Sequence, residues 1–297
     1  MGDLMNQVIL IIVTSLVLSI SQSFGCDIHG KSGFAPKNDL YISQFDKATN
    51  GMTEEKFLAT VKKVSDIYES VVKERGATLS MVNAWEDGTV NAYANQEGSV
   101  WEVHMFGGLA RHPLITDDGF MGVVCHELGH HLGGAPKYGG GNDWASNEGQ
   151  SDYWATLKCL RRVLVDDDNI AIVSKMVVDA EAKTKCELVY KSESEVALCE
   201  RISMAGKSLA MLLGDLGGNS KVNFNTPDPK VVKKTVDSHP AAQCRLDTYF
   251  QGMLCDKSFS DDVSDKDPII GACIKKDGYK VGVRPFCWYK PGLKELE

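Results

Sequence analysis

Apolar residues recur every three or four positions from residue 53 to 75, at Phe57, Val61, Val64, Ile67 or Tyr68, and Val71, so this stretch reads as an amphipathic helix. Thr53 is placed to cap its start and Gly76 to stop it. The pattern then shortens. Two β-branched, apolar runs, Thr78 to Ala84 and Ser99 to Met105, are separated by turn chemistry at Asp87-Gly88 and Asn95 to Gly98, which predicts a small sheet. Helical spacing returns from about Asp118 to Leu132, ended by Gly133-Gly134, and a glycine-rich loop covers Tyr138 to Asn142. Further helices are expected from about Trp144 to Val165, Ile170 to Lys183 and Ser194 to Leu213, with another opening at His239-Pro240. The tail beyond Asp256 is rich in loops. The fold class expected is α+β, mainly helical with a small mixed sheet.

The amino end changes the picture of where the chain works. An apolar stretch from Val8 to Ile20 precedes a small, polar segment ending at Gly25, with Ser23 and Gly25 at the small-residue positions before a cut. Residues 1 to 25 therefore read as a secretory signal, although residues 1 to 7 contain Asp3 and no Lys or Arg. The apolar stretch is shorter than the about 20 residues a bilayer span requires, and nothing later is long and apolar enough, so no integral membrane domain is expected. Cys26, directly after the cut, offers a lipid anchor as the alternative to a freely released periplasmic or secreted chain. The organisation expected is a signal at 1–25, an extension at 26–52, the main domain at 53–256 and a cysteine-containing extension at 257–297.

Nine cysteines in an exported chain point to disulfides. Proximity alone pairs Cys186 with Cys199, Cys244 with Cys255, and Cys273 with Cys287. An apolar share of 43% and a charged share of 24% exclude a disordered or fibrous chain. A net charge of -8 without any basic stripe excludes nucleic acid as a partner.

The chemistry concentrates in His126-Glu127-Leu128-Gly129-His130. Residues four apart share a helical face, so the two imidazoles can converge on one metal ion while Glu127 handles a bound water. A bare pair of this kind is equally met on a solvated surface helix. Glu148 shifts the balance, because it supplies a carboxylate eighteen residues after His130 on an adjoining element, completing the three protein ligands of a catalytic zinc. Asp152, one turn later, is suited to accept from the outer nitrogen of a ligating histidine, and Asn147 supports the same end of the helix. A third histidine in the longer H-E-x-x-H-x-x-G spacing would fall at Pro136, which cannot bind metal. His131 is then left as a surrounding or surface residue. One zinc ion per chain is the cofactor expected, on ligand type.

With these motifs in order, the chain resembles the M48 family of zinc peptidases. Asn91-Ala92-Tyr93-Ala94 resembles that family's Asn-Ala-Phe-Ala segment, Gly107-Gly108-Leu109 its Gly-Leu step, Glu148 and Asp152 its Glu-x-x-x-Asp helix, and His239-Pro240 with Arg245 its His-Pro and following Arg. The likeness covers about residues 53 to 250, and the Asn147 to Asp152 wording is also similar to the thermolysin group. The resemblance implies a zincin-like gluzincin endopeptidase: His126, His130 and Glu148 on zinc, Glu127 as base, and His239 with Arg245 stabilising the oxyanion. It also implies that Ser99 to Met105 is an edge strand pairing with an extended polypeptide substrate, with Asn91, Ala92, Tyr93, Ala94, Val100 and Glu102 as substrate-binding positions. Two other readings stay open. One is a binding or chaperone-like protein whose site is covered by the loop 133–143 or by the tail, and the other is a zinc amidase acting on a non-protein amide. The family's membrane-spanning helices have no equivalent here, and Arg284 to Tyr289 has no counterpart in it.

Overall fold

In the computed structural model, residues 23–24, 33–46, 50–139, 143–218 and 221–296 are described. The expected signal segment, apart from 23–24, and the lipid-anchor position Cys26 lie outside them. Helix α1 (Glu54–Glu74) starts where expected, with the Thr53 side chain accepting from Lys56 N. It buries Phe57, Val61, Val64, Tyr68 and Val72, so the stripe runs through Tyr68 and ends on Val72 instead of Val71. Each such burial contributes about 1.5–3 kcal/mol.

The sheet holds β1 (Ser23–Phe24), β2 (Thr78–Ala84), β3 (Ala92–Glu97) and β4 (Val100–Phe106), in the order β1-β3-β4-β2. A tight turn through Gly98, at φ 58, joins β3 and β4 as an antiparallel hairpin, while β2 and β4 pair in parallel. The run Ser99 to Met105 is therefore not an edge strand. Val100 faces Glu97 on one side and Thr78 on the other, and Glu102 faces Asn95 and Ser80. With both sides of its backbone engaged, β4 has no edge to offer a substrate, which corrects the expectation for Val100 and Glu102. β1 and β2 are the outer strands, and β1 covers β3 only at Asn95 and Gln96, so the start of β3 at Ala92 lies beyond that pairing.

Helices α2 (Gly107–Ala110) and α3 (Asp117–Leu132) follow the sheet, and Thr116 caps α3 by accepting from Gly119 N. Every residue of α3 from Gly119 to Leu132 is buried, so this helix runs through the middle of the molecule. The next helix begins later than the apolar pattern predicts. Asn147 is its N-cap, accepting from Gln150 N, and it runs as α4 (Glu148–Trp154), a π-helical turn (Ala155–Cys159) and α5 (Leu160–Leu164). The expected helix at 170–183 divides at two aspartate caps, Asp168 and Asp179, into α6 (Asn169–Val173) and α7 (Ala180–Val189). Then come α8 (Glu193–Leu216), α9 (Ala242–Leu254) and the short α10 (Leu293–Leu296). The architecture is thus α+β, with helices dominating a small mixed sheet. Among the described residues no helix is long and apolar enough to cross a membrane.

Among the described residues there are four disulfides: Cys125–Cys159, Cys186–Cys199, Cys244–Cys287 and Cys255–Cys273. Only Cys186–Cys199 matches the pairing expected from proximity. Cys244 lies in α9 and Cys255 caps its far end, which separates them by about 16 Å at 1.5 Å rise per residue, far beyond disulfide reach. Each half of α9 instead receives a cysteine from the tail. The tail also fastens α4: Trp288 is fully buried where any side chain at Gly149 would overlap its ring, and Arg284 Nε donates to Gln150 Oε1 at 2.7 Å.

Candidate metal centre

Helix α3 presents His126 and His130 from one face, their rings edge to face with centroids 4.9 Å apart, and Glu148 opens α4 opposite them. His126 Nε2 lies 3.3 Å from Glu148 Oε2, and His130 Nε2 lies 3.7 Å from Glu148 Oε1. One ligand atom from each of the three falls within 4.8 Å of the others, a spacing that suits a single shared cation. All three side chains are completely buried.

The other ring nitrogens decide which atoms face that point. His126 Nδ1 is 2.7 Å from Asp152 Oδ1, and His130 Nδ1 is 2.7 Å from the Ser146 carbonyl oxygen. Both neighbours are acceptors, so each Nδ1 carries a hydrogen and each Nε2 is the atom turned toward Glu148. Two imidazole nitrogens and one carboxylate oxygen, oriented in this way, fit a divalent transition metal of the zinc type.

Burial and charge pull the ionisable groups in different directions. Burial opposes a charge on His126, but Asp152 and Glu148 outweigh it and hold its pKa up at about 9. His130 is dominated by burial and drops to about 4. Burial also resists ionisation of Glu148, yet His239, His126 and His130 hold its carboxyl well below the usual range. Glu127 goes the other way, pushed up by burial to about 8. Its carboxylate lies 3.9 Å from His130 Nε2, beside the ligands and not among them.

Of the predicted residues, Asp152, Arg245 and His239 are brought to this centre with the ligand trio and Glu127. Arg245 lies behind the ligands, with Nη2 3.9 Å from Glu148 Oε2. Its Nε and Nη2 donate to the two oxygens of Asp152, Nη2 also donates to Tyr249 Oη at 3.1 Å, and Nη1 donates to the Phe34 carbonyl at 2.6 Å. It thus orients the carboxylate behind His126. His239 Nε2 lies 3.5 Å from Glu148 Oε2 and donates to the Gly33 carbonyl at 2.5 Å. Asn147 caps α4 and reaches Val236 O with its amide at 3.3 Å, tying down the stretch that leads to His239.

Asn91 and Ala92 line the edge near the centre, where both bond to residues 34–35. Tyr93 stacks on His104 at 4.2 Å, Ala94 pairs with Val103, and the Glu102 carboxylate accepts from Asn95 Nδ2 at 2.8 Å. His131 is no surface residue: it is buried between the Trp101 and Trp144 rings, and burial lowers its pKa to about 3. Gly33, Phe34, Tyr138, Ser146 and Tyr249 were missed. Tyr138 Oη donates to Glu148 Oε1 at 3.0 Å, and only its place in the glycine-rich loop after the zinc-type helix hinted at this. For Gly33 and Phe34 no signal existed in the spacing.

Comparison with protein-family models, with curated proteins and with solved structures finds no match to this chain.

Proposed function

We propose that this chain is a zinc-dependent endopeptidase of the gluzincin type, with a zincin-like fold and an exported polypeptide as substrate. The observation that carries the reading is the fixing of both imidazoles through Nδ1, so that both Nε2 atoms and Glu148 face one point with Glu127 alongside. The donor set recommends zinc, and the four disulfides suit an oxidising compartment outside the cytoplasm.

When bound, zinc supplies a Lewis acid that polarises the scissile carbonyl and lowers the pKa of a water toward about 7. The chain's own groups do the rest. Glu127, buried 3.9 Å from His130 Nε2, takes the proton of the attacking water and delivers it to the leaving amine. His239 donates Nε2–H to a substrate carbonyl, as it does to the carbonyl of Gly33. Asp152 and the Ser146 carbonyl hold the imidazoles in register, and Arg245 holds Asp152.

Glu127→Gln tests the assignment. The variant is expected to bind zinc as the natural chain does and to lose about 100- to 10,000-fold in cleavage of an unstructured protein. Undiminished cleavage by the zinc-loaded variant removes Glu127 as base.

A further inference from the structure

A segment of the same chain packs against the fully buried residues of the centre. Three consecutive residues, Gly33, Phe34 and Ala35, are buried, while the positions after them, through Lys37, Asp39 and Tyr41, return to the surface. Phe34 N donates to the Ala92 carbonyl at 2.8 Å, so the segment adds to the start of β3, beyond the positions Asn95 and Gln96 that β1 pairs with. Asn91 extends the pairing with its side chain, accepting from Ala35 N at 3.0 Å through Oδ1 and donating to Ala35 O through Nδ2.

The segment's carbonyls are bound by the residues that flank the ligands. Gly33 O accepts from His239 Nε2, the same atom that lies 3.5 Å from Glu148 Oε2, and Phe34 O accepts from Arg245 Nη1. The Phe34 ring is fully buried, edge-on to His126 with centroids 5.1 Å apart and 4.7 Å from the Arg245 guanidinium carbon. Gly33 fits only because it lacks a side chain, since a Cβ there would overlap the Ala92 carbonyl oxygen. An extended backbone paired with a sheet edge, a carbonyl on a donor beside the metal ligands and an anchored side chain are together the way a peptide is held for hydrolysis.

We infer that residues 33–35 are a built-in substrate mimic that closes the centre, and that the groove they fill takes an extended polypeptide carrying a large aromatic side chain between small residues. The inference deepens the peptidase reading and rests on it for the word substrate. With the segment seated, His126, Glu127, His130 and Glu148 have no exposed surface, so a polypeptide can enter only after it leaves. The groove left behind has the β3 edge and Asn91 for backbone recognition and the Phe34 pocket for the aromatic anchor. On the carboxyl side the movement stops at Ile42, whose N is anchored to the Gly88 carbonyl and whose O accepts from Arg111.

The test uses the full chain loaded with zinc. Gly33→Val is designed to expel the segment, and a second form carries a site-specific protease recognition sequence inserted at the exposed Phe45 so that the chain is cut after folding. Binding of a fluorescent peptide with the sequence of residues 30–38 is measured by anisotropy in a Glu127→Gln background, and cleavage of an unstructured casein is measured with Glu127 intact. Gly33→Val is expected to bind the peptide at least tenfold more tightly than the uncut natural chain and to cleave casein at least tenfold faster. The cut form is expected to exchange its own segment for excess peptide, which covers the case in which Gly33→Val does not fold. If neither form binds the peptide better than the uncut chain, the mimic is overturned. If both bind the peptide and neither cleaves casein, the mimic stands as a plug of a peptide groove and the peptidase reading falls.

Discussion

Arg245 and Asp152 form a two-pronged ion pair in the middle of the protein, with Nε and Nη2 each 2.7 Å from a different carboxylate oxygen and neither side chain more than 1% exposed. Burial alone favours the neutral acid, but the guanidinium holds Asp152 below the usual carboxylate range. Because Asp152 is also the partner of His126 Nδ1, a change in this pair reaches the metal site through one hydrogen bond.

Asp152→Asn keeps the shape and removes the charge. Zinc affinity is expected to fall about 10- to 100-fold, the usual cost of losing the carboxylate behind a ligating imidazole. Competition against a chromophoric chelator measures this, and an unchanged affinity would detach Asp152 from the metal site.

Metal removal should loosen the whole fold, because the ligands come from two different helices, α3 and α4. Zinc at 100 times its dissociation constant stabilises the native state by about 2.7 kcal/mol. For a domain of this size that is a rise of about 5–10 °C in Tm over the chelator-treated chain. His126→Ala should abolish the response; a variant that still responds binds its metal elsewhere.

Cys125 and Cys159 join the residue before the first ligand to the π-helical turn that follows α4, closing a loop of 34 residues. The double change Cys125→Ser, Cys159→Ser is expected to cost about 3–4 kcal/mol of unfolding free energy. Urea unfolding in oxidising buffer reads it, and a loss below 1 kcal/mol would mean that packing alone holds the two helices together.

Asp247 gives the pH dependence a sign. Burial raises its pKa from 3.8 to about 6, against the opposing hydrogen bonds from Asp228 N and Gln243 Nε2. The folded chain therefore holds this proton more tightly than the unfolded chain. Its contribution is complete below pH 3.8, declines as pH rises to about 6, and is flat above. After allowance for solvent screening the decline is about 1–2 kcal/mol. Asp247→Asn should remove that slope in denaturation curves between pH 4 and pH 6.5, and an identical slope in both proteins would assign it to other groups.

Residues 126, 130, 148 and 152 were legible from spacing because one helical turn brings positions four apart to the same side, whatever surrounds the helix. Helix α1 was legible for the same reason, down to its Thr53 cap. The late start of α4 and the break between α6 and α7 were not, since a single Asn or Asp cap overrides an apolar pattern that runs through it. Arg245 could be assigned to the site by its order in the chain, but which acceptor its guanidinium meets is a question of packing.

By itself, then, the sequence determined what depends on neighbours within a few residues: the α+β mixture, the imidazole pair, the carboxylate after it and the oxidised character of the cysteines. Only the tertiary structure decided that β4 lies between two strands, that Cys244 and Cys255 each pair with the tail, and that Gly33–Phe34–Ala35 packs against His126, His239 and Arg245. The physical reason is range. Helical periodicity is set by local backbone geometry, whereas strand order, disulfide choice and the docking of residue 34 against residue 126 depend on which distant surfaces fill one another's space, and no spacing along the chain records that.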